Sequence, residues 1–178
     1  MSGTELEPRT DATANIEKEN QVQHLMRADT VGLTFRVSGT VYGTANLIHA
    51  DKRNQHVSVT IGSVTHIVHR ASTLLPVEVL WTHAGALAER LPSRVGPEVA
   101  SQSELHKAAH TVYLAGEPLG LLALVPAVEE LGEPEYLRVH TGPVVWQVMD
   151  RAAHASIARL WRTALTLLVQ AEAHGGQR

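Results

Sequence analysis

The stretch HVSVTIGSVTHIVH, residues 56–69, predicts a β-hairpin near the middle of the predicted sheet. Two runs of alternating apolar and polar residues flank Gly62 and Ser63, a pair suited to a two-residue type II′ turn. A two-residue turn fixes the register, so that His56 faces His69 across the two strands. In this register the apolar residues of both runs fall on the same face, which supports the pairing.

One histidine falls on the apolar face of this hairpin. That face consists of Val57, Val59, Ile61, Val64, Val68 and His66. A histidine in such a place is either a core residue with a satisfied ring nitrogen, or a polar group that projects into a ligand cavity. The sequence leaves both alternatives open.

Further strands are predicted on both sides of the hairpin. Residues 31–37 alternate as a half-buried strand, and a turn at Ser38 and Gly39 leads into a second strand over 40–49. After the hairpin, PVEVLW at 76–81 predicts another strand.

The middle of the chain predicts two short helices. One spans residues 83–91, and a capping box of Ser101 and Glu104 begins another that continues to about His110. The remaining strands are predicted as two hairpins, 111–115 with 119–126 and 135–140 with 143–149, separated by a helical turn or loop over 127–134.

The C-terminal segment predicts a long helix. Asp150 is a good N-cap, and neither glycine nor proline occurs from Arg151 to Ala173. The apolar stripe of this helix is broad enough to indicate deep burial or a second partner. Together these patterns predict an α+β fold. Its antiparallel sheet, flat or strongly curved, is built from hairpins and packs on the long C-terminal helix, with short helices in the middle of the chain.

The domain organisation is predicted to be simple. Residues 1–20 are polar and predict a flexible N-terminal tail. Residues 21–174 are predicted to form a single α+β domain without an internal repeat, and residues 175–178 a frayed C-terminus.

Composition excludes several classes of function. The 178 residues carry a net charge of −3, with no basic surplus for nucleic acid, and none of them is cysteine. No apolar run approaches the roughly 18 residues of a membrane span, and no secretory signal precedes the domain. We therefore expect a soluble, cytoplasmic protein that binds neither membranes nor nucleic acid.

The chain is rich in histidine, with 11 residues, and two pairs are the best candidates for a metal site. His106 and His110 stand four residues apart on a predicted helix, and His56 and His69 are opposed in the hairpin. Neither pair has an evident third ligand, so we predict no metal and no other cofactor.

No catalytic motif is present. The chain has no glycine-rich phosphate loop, no G-x-S-x-G elbow and no H-E-x-x-H pattern. If a small-molecule cavity lies between the sheet and the C-terminal helix, we expect His66, Trp146 and Trp161 to line it.

Two functions from different classes follow. The first is an interaction or regulatory module without catalytic apparatus, a homodimer or another complex held by protein contacts. The alternative is a small-molecule-binding protein or enzyme that uses the cavity just described. Since the net charge would rise from −3 to +8 if every histidine were protonated, we also expect self-association or partner binding to change between roughly pH 5.5 and 7.5.

Overall fold

The computed structural model describes residues 32–49, 54–95, 110–118 and 120–175. These residues form eight strands, two α-helices and a short 3-10 helix. The strands are β1 (Leu33–Val37), β2 (Gly43–Ile48), β3 (His56–Ile61), β4 (Val64–Val68), β5 (His110–Leu114), β6 (Gly120–Val125), β7 (Tyr136–Thr141) and β8 (Val144–Val148). The helices are α1 (Ala71–Ala88) and α2 (Arg151–Gly175), and the 3-10 helix is Glu129–Leu131.

The strands form two four-stranded sheets of mixed direction. In the first sheet the order is β2-β3-β4-β5, and in the second it is β1-β8-β7-β6. Each sheet is an antiparallel meander of three strands with a fourth strand added in parallel, β5 beside β4 and β1 beside β8. The α+β class and the packing of a sheet on the C-terminal helix are therefore confirmed.

The chain contains an internal structural repeat. The first repeat runs through β1–β4 and α1, and the second through β5–β8 and α2, but each repeat gives its first strand to the other repeat's sheet. From β3 to the end of α1, equivalent residues differ by a constant 80 in number. The identical ones include Val59 and Val139, Gly62 and Gly142, Val64 and Val144, Val68 and Val148, Leu80 and Leu160, and Trp81 and Trp161. The prediction of no internal repeat was wrong. The repeat was missed because the residues shared by its two halves are few and are spread along the core positions.

The hairpin over residues 56–69 is confirmed with the predicted register. Ile61 pairs with Val64, and Val57 pairs with Val68. Gly62 at the turn has φ of 56°, a left-handed conformation that glycine adopts without steric cost. The predicted hairpin of 135–140 with 143–149 also forms, as β7 and β8, but its register is wrong, since the turn lies one residue later than predicted. Thr141 pairs with Val144, so the two-residue turn is Gly142 and Pro143, because glycine takes the first turn position as it does at Gly62.

The strand predicted over 76–81 is wrong, because these residues lie inside α1. The helix predicted over 83–91 is the C-terminal half of the same element. The alternation of PVEVLW is typical of a strand, but Glu78 is the only charged residue of α1, so no polar stripe reveals the helical period. Burial of Leu74, Val77 and Trp81 at helical spacing decides the conformation instead.

Two predicted hairpins, 31–37 with 40–49 and 111–115 with 119–126, are also wrong. β1 does not pair with β2, and β5 does not pair with β6, because the chain crosses from one sheet to the other at each of these turns. The predicted helix ending near His110 fails at that residue, which begins β5, while 101–109 lie outside the described residues. The predicted tail over 1–20 and residues 176–178 also lie outside them.

The two helices pack against each other, and each covers the other repeat's sheet. α2 lies on β2 and β3, and α1 lies on β6 and β7. Asp150 caps α2 as predicted, since its carboxylate accepts a hydrogen bond from the backbone N–H of Ala153 at 2.8 Å. Neither described helix combines the length and the apolar character needed to cross a membrane.

Candidate functional site

His66, Trp146 and Trp161 come together in the core. The centroid of the His66 ring lies 5.0 Å from that of Trp161 and 6.2 Å from that of Trp146. His66 and Trp161 are completely buried, and Trp146 is 1% exposed. His66 reaches this place from β4, Trp146 from β8 and Trp161 from α2, so the cluster joins both sheets to the C-terminal helix.

The ring nitrogens of this cluster lack hydrogen-bond partners. Both nitrogens of His66 and the indole nitrogens of Trp146 and Trp161 are buried and unpaired. The internal repeat explains why the indole nitrogen of Trp161 is unpaired. Its equivalent, Trp81, donates to the hydroxyl of Thr141 at 3.3 Å, but the residue equivalent to Thr141 in the first repeat is Ile61, which has no acceptor.

Burial controls the charge of His66. Desolvation lowers the pKa of His66 from 6.5 to about 4, because the charged imidazolium would lose its contact with water. The backbone of Val59, its cross-strand neighbour, opposes this shift, although neither ring nitrogen makes a well-formed hydrogen bond. The imidazole is therefore neutral at pH 7, and it lies in the core with both ring nitrogens unpaired.

The structure describes a cavity, but it lies elsewhere. Its volume is about 360 Å³, and it opens at the start of α1. The lining residues are Arg70, Ser72, Thr73, Pro76, Gly116 and Glu117. None of the three residues predicted to line a cavity belongs to it.

His56 and His69 lie side by side, as the hairpin register predicts. Their ring centroids are 5.2 Å apart, and that of His49 lies 6.2 Å from His56. The Nδ1 atoms of His56 and His69 donate to the backbone carbonyls of Asn54 and Gln55, at 3.0 and 3.2 Å. These rings form an exposed to half-buried cluster at one end of the first sheet.

The other predicted pair, His106 and His110, does not lie on one helix, because His110 is in a strand. His110 begins β5 and contacts Phe35 edge to face, with 5.9 Å between ring centroids, and His106 lies outside the described residues. Within the parts of the chain that the structure describes, no group of three histidine, aspartate or glutamate side chains is arranged to hold a metal ion.

Strand β6 is a surface feature that the sequence reasoning missed. Among the strands that the structure describes, it forms one edge of the second sheet, and its sequence GLLALV contains no polar side chain. Leu121 of this strand is 53% exposed. On the neighbouring helix α1, Leu75 and Val79 are 51% and 39% exposed. The uncharged run was visible in the sequence, but placing it at an edge required the sheet order.

Buried Asp150 was predicted as a cap and has a wider structural role. One carboxylate oxygen accepts hydrogen bonds from the backbone N–H groups of Gly39 and Val95, both at 2.7 Å, and the other caps α2. The carboxylate therefore joins the β1–β2 turn, the segment after α1 and the start of α2.

Comparison of this chain with protein-family models, with curated proteins and with solved structures finds no match.

Proposed function

We propose that this chain is a non-enzymatic interaction module that pairs with a second copy of itself through strand β6. The observation that carries the proposal is the uncharged, apolar edge at β6, next to exposed leucine and valine side chains of α1. Edge strands present unpaired backbone N–H and C=O groups, and natural proteins usually protect them with charged residues, proline or bulges.

The four edge strands of the two described sheets differ in the polar or charged side chains that could protect them. β1 carries Arg36, β2 carries the polar Thr44 and Asn46, and β5 carries His110. β6 has no comparable residue at any position. This contrast singles out β6 as the edge whose backbone and side chains are suited to continue into another sheet.

A second copy fits this edge without a change of side chains. Residues opposite each other in an antiparallel pair share a face, so a two-fold axis must pass midway between the two copies of one β6 residue, which then faces itself. With the axis at Ala123, Leu121 would face Val125 of the partner and Leu122 would face Leu124 of the partner. Every pair would be apolar, and a net charge of −3 gives little repulsion between copies.

The helices support the same arrangement. α1 lies against β6, where Leu80 contacts Gly120. Joining two β6 strands would bring two α1 helices to the same side of the joined sheet. Leu75 and Val79 add exposed apolar surface to α1, the helix that covers this edge.

The alternative function, a small-molecule site at His66, has weaker support. The centroids of the three rings lie at separations usual for directly contacting aromatic side chains, and nearly all of their surface is buried. Such packing favours a structural role for these residues over a ligand-binding one.

The internal repeat supplies a matched test of the proposal. Ala123 in β6 and Asn46 in β2 occupy equivalent positions, and Arg138 lies opposite Ala123 within the chain. Ala123→Glu therefore places a carboxylate near an intramolecular arginine, but opposes two carboxylates across the proposed axis. We expect light scattering to give twice 19.3 kDa for the wild type and for Asn46→Glu, and 19.3 kDa for Ala123→Glu. A monomeric wild type, or a dimeric Ala123→Glu, would overturn the proposal.

A further inference from the structure

We propose that His56 and His69 form a binding site for a divalent transition-metal ion, with zinc as the best fit. The two residues belong to adjacent strands of the first sheet, at the end where β3 begins and β4 has just ended. The site is independent of β6, which lies in the other sheet.

The hydrogen bonds of the two rings fix which nitrogen is free. A carbonyl oxygen only accepts hydrogen bonds, so the Nδ1 atom that contacts it must carry the proton in each ring. The Nδ1 partners are the carbonyls of Asn54 and Gln55, at 3.0 and 3.2 Å. In the neutral imidazole the lone pair is then on Nε2, the form in which histidine ligates a metal.

The arrangement matches the outer shell of known histidine–metal sites. A histidine that ligates a metal through one nitrogen usually donates its other N–H to a carboxylate, a backbone carbonyl or water. Here the carbonyls of two consecutive residues orient two neighbouring imidazoles. Neither Nε2 atom has a hydrogen-bond partner among the residues that the structure describes.

The spacing of the rings also fits zinc. A zinc–nitrogen bond of about 2.0–2.1 Å and a tetrahedral angle place the centres of two ligating imidazoles about 5 Å apart. The centroids of His56 and His69 are 5.2 Å apart in the structure. His69 is exposed and His56 is half-buried, so an ion from solution can reach the pair.

The described residues supply two ligands, and water is the natural source of the others. Among the described side chains no third histidine, aspartate or glutamate is arranged to share a metal with this pair. An exposed site of two imidazoles binds zinc more weakly than a closed structural site of four ligands, and its occupancy will depend on the free zinc concentration.

Titration with zinc chloride tests the site on the full-length chain. We expect isothermal titration calorimetry at pH 7.5 to detect a site whose affinity falls at least about tenfold in His56→Asn and in His69→Asn. The matched control is His83→Asn, which removes an exposed histidine from α1 and should change the affinity less than about twofold. Circular dichroism melts establish that each variant is folded.

A second measurement needs no variant. In the wild type, zinc should shift the imidazole C–H resonances of His56 and His69 before that of His83. Equal affinity in the wild type and in both single variants would overturn the assignment. Unchanged His56 and His69 resonances at saturating zinc would overturn it as well.

Discussion

Gly43 lies so close to Leu160 that a β-carbon on the glycine would come within 2.5 Å of the leucine side chain, and closer still to the carbonyl oxygen of Thr60. The equivalent contact in the other repeat joins Gly120 to Leu80, where the same distance is 3.0 Å. α2 thus packs directly on β2, and α1 packs directly on β6. In each case glycine, which has no β-carbon, makes the close approach possible.

The first prediction compares these two glycines. Gly43→Ala should lower the free energy of unfolding by about 3 kcal/mol, because the methyl group overlaps a backbone oxygen that cannot move freely. Gly120→Ala should change it by less than about 1 kcal/mol, since the Leu80 side chain can rotate away and the alanine restricts the unfolded chain. Urea denaturation of both variants measures the difference. Equal losses would mean that the two contacts are equally tolerant.

The second prediction concerns the equivalent tryptophans. Trp81 donates to Thr141, whereas the indole nitrogen of Trp161 is unpaired. Replacing either with phenylalanine loses similar apolar area, but only Trp81→Phe also removes a hydrogen bond and leaves a buried hydroxyl unpaired. Trp81→Phe should therefore be about 1 kcal/mol more destabilising than Trp161→Phe in chemical denaturation. The opposite order would contradict the hydrogen-bond assignment.

The third prediction is a pH dependence of stability caused by His66. The folded state binds a proton at His66 only near pH 4, while the unfolded chain binds one near pH 6.5. As the pH falls between these values the unfolded state gains the proton first, so stability is lost on acidification, by up to about 3 kcal/mol.

His66→Leu should remove this part of the pH dependence. The variant should match or exceed the wild-type stability at pH 7, because leucine has no unpaired polar atoms in the same space. Its advantage should grow as the pH falls from 6.5 to 4.5, as measured by urea denaturation at each pH. His154, whose pKa burial also lowers, is present in both proteins and cancels in the comparison. A constant difference between the two proteins would show that His66 is not the responsible group.

The fourth prediction tests the three-way connection at Asp150. Asp150→Asn keeps one acceptor oxygen but turns an amide N–H₂ toward a backbone N–H, so we expect a loss of about 2 kcal/mol. Glu172→Gln is a suitable control, because Glu172 is partly exposed and accepts a single backbone hydrogen bond, from Ala71 at 2.8 Å. Its loss should stay below about 1 kcal/mol. Thermal or urea denaturation distinguishes the two, and similar losses would argue against a special role for Asp150.

Local chemistry was enough to predict part of the fold. The hairpins at Gly62 and Gly142 and the capped helix α2 depend on contacts between residues that are close in sequence, so turn chemistry and periodicity reveal them. α1 was missed because its burial, rather than its sequence period, makes it helical. The exchanged strands β1 and β5 were missed because parallel pairing with a distant strand leaves no local signal.

The candidate sites were predictable to a similar extent. The proximity of His56 and His69 followed from the hairpin register, and the structure confirms it. The grouping of His66 with both tryptophans was predicted. The tight packing of the three rings was not, because it depends on how β4, β8 and α2 are arranged, which the sequence patterns do not reveal. The pH dependence of association inferred from the histidine count stays a prediction.

The central claim is that two copies pair through β6, and a single-cysteine crosslink tests it most directly. The chain has no cysteine, so Ala123→Cys introduces the only thiol, at the residue that faces its own copy across the proposed two-fold axis. Opposed residues in antiparallel strands have β-carbons about 5 Å apart, within reach of a short bis-maleimide. We expect a covalent dimer for Ala123→Cys and a monomer for Asn46→Cys at the equivalent position of β2. Equal crosslinking of the two variants, or none in either, would contradict it.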